Sequence, residues 1–238
     1  MHDTLARHVE SGYVPGLVTL LARRGEIVAH ALGSMSIGGA PMRRDTIFRI
    51  TSLTKPITAA AAMTFVEECR LRLDEPVDRW LPELADRKVL RSLPSSLDDT
   101  VPANRAITLR DLLTFRLGLG AIMDYPERHP IQKAMREAGV APGPLLPAIG
   151  PDELMKRYGS LPLVHQPGER WLYDTGPHIL GVLLARVAGK PLGEVLRERI
   201  FDPLGMRDTG FSVAEDTRSA GDLLLDRRRP ESWPRDIR

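Results

Sequence analysis

The sequence predicts an α+β fold, in which a partial antiparallel sheet with flanking helices accompanies a mostly helical region. Two observations carry this. Residues 16–33 hold two apolar runs split by a short glycine-containing turn, and about residues 56–184 are dominated by helical patterning. A third is that short helical segments border both ends, over residues 3–12 and about 192–200.

Taken in order, residues 3–12 read as an amphipathic helix ending before Gly12. Gly16–Ala22 and Ile27–Gly33 follow as paired strands around Arg23-Arg24-Gly25-Glu26, and residues 34–47 read as loop. Ile47–Ile50 reads as a further short extended stretch. Pro56 suits the first turn of a helix, where its missing N–H has no helical partner. The alanine run Ala59–Ala62 propagates that helix, Met63, Phe65 and Val66 give it an apolar face, and it is expected to end near Arg70 to Arg72. Residues 83–106 are polar and Pro/Ser-rich and read as loop. Thr108 with Asp111 three residues on is a capping pattern for the next helix. Further helices are expected over 130–138, Asp152–Tyr158, Pro177–Val187 and about Leu192–Ile200. The charged segment from about residue 216 to 238 shows no sustained period and is expected to be disordered.

Composition narrows the function classes. The length, 238 residues, can bury a sizeable core. A formal net charge of +2 leaves no footprint for nucleic acid or an anionic membrane, so neither is expected as a partner. The single cysteine, Cys69, and six scattered histidines have no metal-ligand spacing, so neither a metal nor another cofactor is expected. No run approaches the roughly 20 apolar residues of a membrane span, and Met1–His8 lacks the pattern of a signal peptide. A cytoplasmic location is the expectation.

Chemistry enters at Thr51-Ser52-Leu53-Thr54-Lys55-Pro56. A serine hydroxyl needs an adjacent base to act as a nucleophile near neutral pH. At a helix start, residues three apart share one face, so Ser52 and Lys55 can touch, and a desolvated lysine can take the serine proton. The helix N-terminus also favours negative charge developing on Ser52 Oγ. On spacing alone the pair is better read as a helix cap, Ser52 or Thr51, followed by a surface lysine. The strand pair before it and the alanine-rich helix after it suit a buried nucleophile helix.

Four ordered segments then resemble the serine beta-lactamase-related family, which includes class C beta-lactamases, D-alanyl-D-alanine carboxypeptidases and family VIII esterases. They are Phe48–Ala59 around Ser52 and Lys55, Ile107–Thr114, Gln166-Pro167-Gly168-Glu169 leading to Trp171–Gly176, and Phe201–Thr209. The resemblance spans roughly residues 10–212. It implies a beta-lactamase/transpeptidase-like fold over residues 1–215, with the sheet drawn from residues 1–50 and about 185–215. It also implies a small-molecule ester or amide substrate and an acyl-enzyme on Ser52, with Lys55 as activating base. Tyr173 takes the place of the family's Tyr-x-Asn tyrosine, which serves as base and later as acid. Such a tyrosine must sit among cations to work near neutral pH, and Lys55 is the expected neighbour. Thr175 stands where the family has asparagine and Asp174 holds the middle position, so both are candidate substrate-binding residues. Trp171 reads as a packing residue rather than a substrate platform. Phe115-Arg116-Leu117 departs from the small or polar residues that usually precede Gly-Leu in the family.

The family's third motif, Lys-Thr-Gly or His-x-Gly, has no match here. Its strand supplies one of two oxyanion N–H donors, the other being the nucleophile's own, and losing one typically costs ~10²–10³ in rate. The expectation is a C-terminally truncated member whose C-terminal strands are missing and whose hairpin over 16–33 keeps open edges. An esterase is expected ahead of a beta-lactamase because no export signal is seen. The alternative is a catalytically inactive family member or a non-enzymatic binding protein.

Overall fold

A computed structural model describes residues 1–143 and 148–212. The expected tail over 216–238 lies outside these. The chain divides into two units, one built from the residues up to Ile50 together with those from Gly210 on, the other from Thr51–Thr209.

The first unit carries helix α1 (His2–Glu10) and the antiparallel strands β1 (Gly16–Arg23) and β2 (Glu26–Gly33), in a register that runs from Gly16 opposite Gly33 to Arg23 opposite Glu26. The loop is two residues long. Arg24 and Gly25 both have positive φ, 51° and 85°, as a tight hairpin loop needs to follow the strand twist. Gly33 has φ +75°, and any Cβ there would collide with the Pro15 carbonyl. The sheet has two strands. Leu20, Leu21, Ile27 and Val28, in its distal half, are exposed. Ile47–Ile50 forms no strand, since no neighbouring strand pairs with it among the described residues.

The second unit holds the hydrophobic core. A 3-10 turn, Thr51–Leu53, leads into α2 (Thr54–Glu67), with Pro56 in the first turn as expected. Ala61, Ala62 and Phe65 of α2 are fully buried, and α2 packs against α6 (Thr175–Ala188), whose buried face includes Ile179, Leu180, Leu183 and Leu184. Helix α2 stops before Arg70 because Cys69 turns left-handed (φ 58°). The Cys69 and Arg70 N–H groups then bond the Val66 and Phe65 carbonyls, closing the helix end.

Residues 83–106 are more ordered than their polarity suggests. A 3-10 turn, Pro82–Leu84, precedes β3 (Lys88–Leu90) and β4 (Thr100–Pro102), which pair antiparallel, and Val89 also bridges to Leu163. Strands of three residues are too short to show alternation, and burial of Val89 and Leu90 is what holds them. The remaining helices are α3 (Leu109–Leu113), α4 (Pro130–Glu137), α5 (Pro151–Ser160) and α7 (Leu192–Leu196), the last widening into a π-type turn over Arg197–Phe201. Residues 185–212 contribute helix and turns and no strand. The capping pattern at Thr108 is present in full: Thr108 Oγ1 accepts from the Asp111 N–H, and Asp111 accepts from the Thr108 N–H.

Candidate active site

The site is assembled at two helix starts. Ser52 sits in the 3-10 turn before α2 and Lys55 in the first turn of α2, on the same side as their spacing requires. Ser52 Oγ accepts hydrogen bonds from Lys55 Nζ at 3.1 Å and from the Tyr173 hydroxyl at 3.0 Å. Tyr173 stands just before α6, a hundred and more residues away in sequence, yet it closes on the same oxygen. Lys55 Nζ also lies 4.9 Å from the Tyr173 ring centroid. Ser52 itself is exposed rather than buried as its helix setting suggested, and Tyr173 is 37% exposed.

Tyr173 is held by the segment that runs from Phe115 to Ala121. The Tyr173 carbonyl accepts from the Ala121 N–H (2.8 Å), and the Leu172 N–H donates to the Phe115 carbonyl (2.8 Å). Gly120 permits this approach, since a Cβ there would lie 2.7 Å from the Tyr173 carbonyl oxygen. Leu117 and Leu119 are buried and anchor the segment from below. Phe115 stacks on Tyr173 at 5.7 Å, and Trp171 stacks on it at 5.8 Å.

Asp174 and Thr175 are both buried, at 5% and 1% exposure, so neither opens onto solvent beside Ser52. Asp174 Oδ1 lies 2.8 Å from Lys55 Nζ, and its other oxygen accepts from the Gly143 N–H. This ion pair is a contact that sequence reasoning missed; the only signal for it was a carboxylate next to the motif tyrosine. A part-buried pair adjoins it, with Tyr158 Oη 3.4 Å from His178 Nδ1. Burial pushes the Tyr158 phenol up, helped by the Asp174 charge, and burial pushes the His178 imidazole below its ordinary range.

Backbone strain clusters here as well. Thr51, Phe115 and Asp174 all have positive φ, at 42°, 60° and 88°. They adjoin Ser52, pack on Tyr173, and adjoin Tyr173 respectively. Such conformations cost about 1–3 kcal/mol each and gather where geometry has to be imposed on reacting groups.

The sequence model of the beta-lactamase family matches residues 1–237. The chain belongs to the beta-lactamase family. Among relatives of this family member, Protein Rv1367c of Mycobacterium tuberculosis is 41% identical over 212 residues, covering 88% of this chain and 50% of that protein. Esterase EstB of Burkholderia gladioli is 37% identical over 208 residues, covering 86% of this chain and 49% of the esterase. Of solved structures, that of EstCE1, described as a hydrolase with promiscuous acyltransferase activity, superposes with a TM-score of 0.77 at 30% identity. It covers 90% of this chain and 53% of EstCE1. The chain thus spans about half the length of these relatives. The fold is the expected beta-lactamase/transpeptidase-like one, and the family supports serine hydrolase-type chemistry in general. No helix among the described residues is long and apolar enough to cross a membrane.

Proposed function

We propose that this chain carries the nucleophile machinery of a serine esterase that works through an acyl-enzyme on Ser52. The observation that carries this reading is the convergence of Lys55 Nζ and Tyr173 Oη on Ser52 Oγ, at 3.1 and 3.0 Å. Such a triad meets the geometric requirement for an activated nucleophile, in which base and nucleophile lie within hydrogen-bond reach and a further group orients the base.

In this reading Lys55, paired with Asp174, presents its positive charge to the Tyr173 and Ser52 oxygens and favours negative charge on them. Lys55 therefore acts through its charge, in place of the base role expected from the sequence. Tyr173, as phenolate, takes the Ser52 proton while Oγ attacks the ester carbonyl. Collapse of the tetrahedral intermediate breaks the carbonyl–alkoxy bond, and Tyr173 returns the proton to the leaving alcohol. A water then attacks the acyl carbonyl, giving its proton to Tyr173, and Ser52 Oγ departs with that proton. The Ser52 N–H is one oxyanion donor. Asp174 and Thr175 would need the turn they occupy to move before touching a substrate; here Asp174 acts on Lys55.

Similarity to an esterase and to a hydrolase with acyltransferase activity supports an ester over a lactam substrate. An alcohol could replace water in the second step. The test is to expose the folded chain, beside Ser52→Ala, to a fluorophosphonate probe and a short-chain nitrophenyl ester. Labelling and turnover in wild type alone are expected. If both proteins are inert while circular dichroism reports a folded chain, the enzyme reading fails and a non-catalytic family framework replaces it.

A further inference from the structure

Outside the reacting groups, one cavity is built for charge. It has a volume of about 380 Å3 and is lined by Arg105, Arg110, Asp111, Thr114, Arg116, Gly168 and Trp171. Three arginines and one aspartate are thus among the residues that line it. Two of the three arginines are spoken for: Arg105 grips Asp111 through both terminal nitrogens (2.6 and 2.9 Å), and Arg110 grips Asp74 through Nε and one terminal nitrogen (2.6 and 2.8 Å). The Thr114 hydroxyl is spent on the Arg110 carbonyl. Arg116 is exposed and has no carboxylate partner among the described residues. It belongs to the run Phe115-Arg116-Leu117, where the family pattern has small or polar residues.

Trp171 connects this cavity to the chemistry. It packs against two rings, stacked on Tyr173 and tilted against Phe115, and is still 59% exposed. The Tyr173 hydroxyl in turn lies against Ser52 Oγ. An apolar chain running from an ester at Ser52 would cross the aromatic face of Trp171 and end at the one uncompensated guanidinium. A planar guanidinium recognises a carboxylate through two parallel hydrogen bonds, and an aromatic face favours flat or extended apolar groups.

We propose that the cavity between Trp171 and Arg116 is a subsite for the anionic end of the substrate, so that this chain prefers esters bearing a distal carboxylate across an apolar spacer. The substrate class rests on the serine-esterase reading; the binding site does not.

The test separates the two. Binding of phenylbutyrate and of its uncharged amide to the full chain carrying Ser52→Ala is measured by titration calorimetry. The carboxylate is expected to bind about five-fold more tightly, the scale of one partly exposed charge pair. Arg116→Gln should abolish that difference, and Arg116→Lys should restore part of it. Equal binding of acid and amide, or a difference that survives Arg116→Gln, overturns the proposal. In the Ser52-intact chain, the ratio of kcat/KM for mono-nitrophenyl suberate over nitrophenyl octanoate should fall about five-fold on Arg116→Gln. If the calorimetric difference behaves as stated and neither ester is turned over, the subsite stands and the esterase reading is what fails.

Discussion

The Asp174 carboxylate lies 2.8 Å from the Lys55 ammonium, with the two side chains 7% and 15% exposed. A buried pair this close is costly to break from one side, because the remaining charge loses its compensation. Asp174→Ala is therefore expected to destabilise the chain by about 3 kcal/mol in urea unfolding. The activity of Asp174→Asn decides the role of the lysine. If Lys55 acts as a cation, kcat/KM for a nitrophenyl ester falls about ten-fold at neutral pH. A rise in activity at neutral pH would instead assign Lys55 as the base.

Stability should fall on mild acidification, and His178 should be one cause. Burial, with Asp174 opposing and Lys55 adding, keeps its imidazole below the ordinary 6.5. Below that value the unfolded chain binds a proton that the folded chain resists, so folding is fully favoured above the unfolded pKa and weakens as pH falls towards the folded one. His165 acts in the same direction, again chiefly through burial. The melting temperature is expected to drop between neutral pH and about pH 5, and His178→Gln, which can keep a hydrogen bond to Tyr158, should flatten that slope. An unchanged slope in the variant would remove His178 from this account.

Arg87 is 8% exposed and directs its guanidinium at the carbonyls of Tyr158, Gly159 and Leu161, at the end of α5. No carboxylate pairs with it among the described residues, and burial lowers its pKa to about 10, which still leaves it charged at neutral pH. It serves the negative end of the helix and satisfies carbonyls that the helix itself leaves open. Arg87→Met is expected to cost about 3 kcal/mol, since those carbonyls lose their donor without reaching water. Arg87→Lys should recover less than half, because one ammonium cannot span three acceptors. Chemical denaturation of the two variants reads both numbers.

Asp111 joins the cap of α3 to Arg105. Burial works to raise its pKa, yet donation from Arg105 and from the Thr108 N–H and hydroxyl holds it below the ordinary 3.8. Its contribution is thus present above pH 3.8 and lost below it. Asp111→Ala should cost about 2 kcal/mol at neutral pH, the worth of a cap plus a half-exposed ion pair. That penalty should shrink in strong acid.

Much of this chain was readable before any coordinates. Pattern and turn chemistry determined the hairpin over 16–33, the capped start of α3, the proline-led start of α2 and the contact between Ser52 and Lys55, because each depends on residues within a few positions of one another. Ordered motif matches added Tyr173 and the family. Tertiary structure alone decided what lies next to what across the chain. It brought Tyr173 to Ser52, turned Asp174 inward to Lys55, left Trp171 exposed beside Tyr173, and paired β3 with β4 through burial of strands too short to show a period. Such contacts depend on how α2, α3 and α6 pack around fully buried residues such as Ala61, Leu112 and Leu183, and no local spacing carries that information.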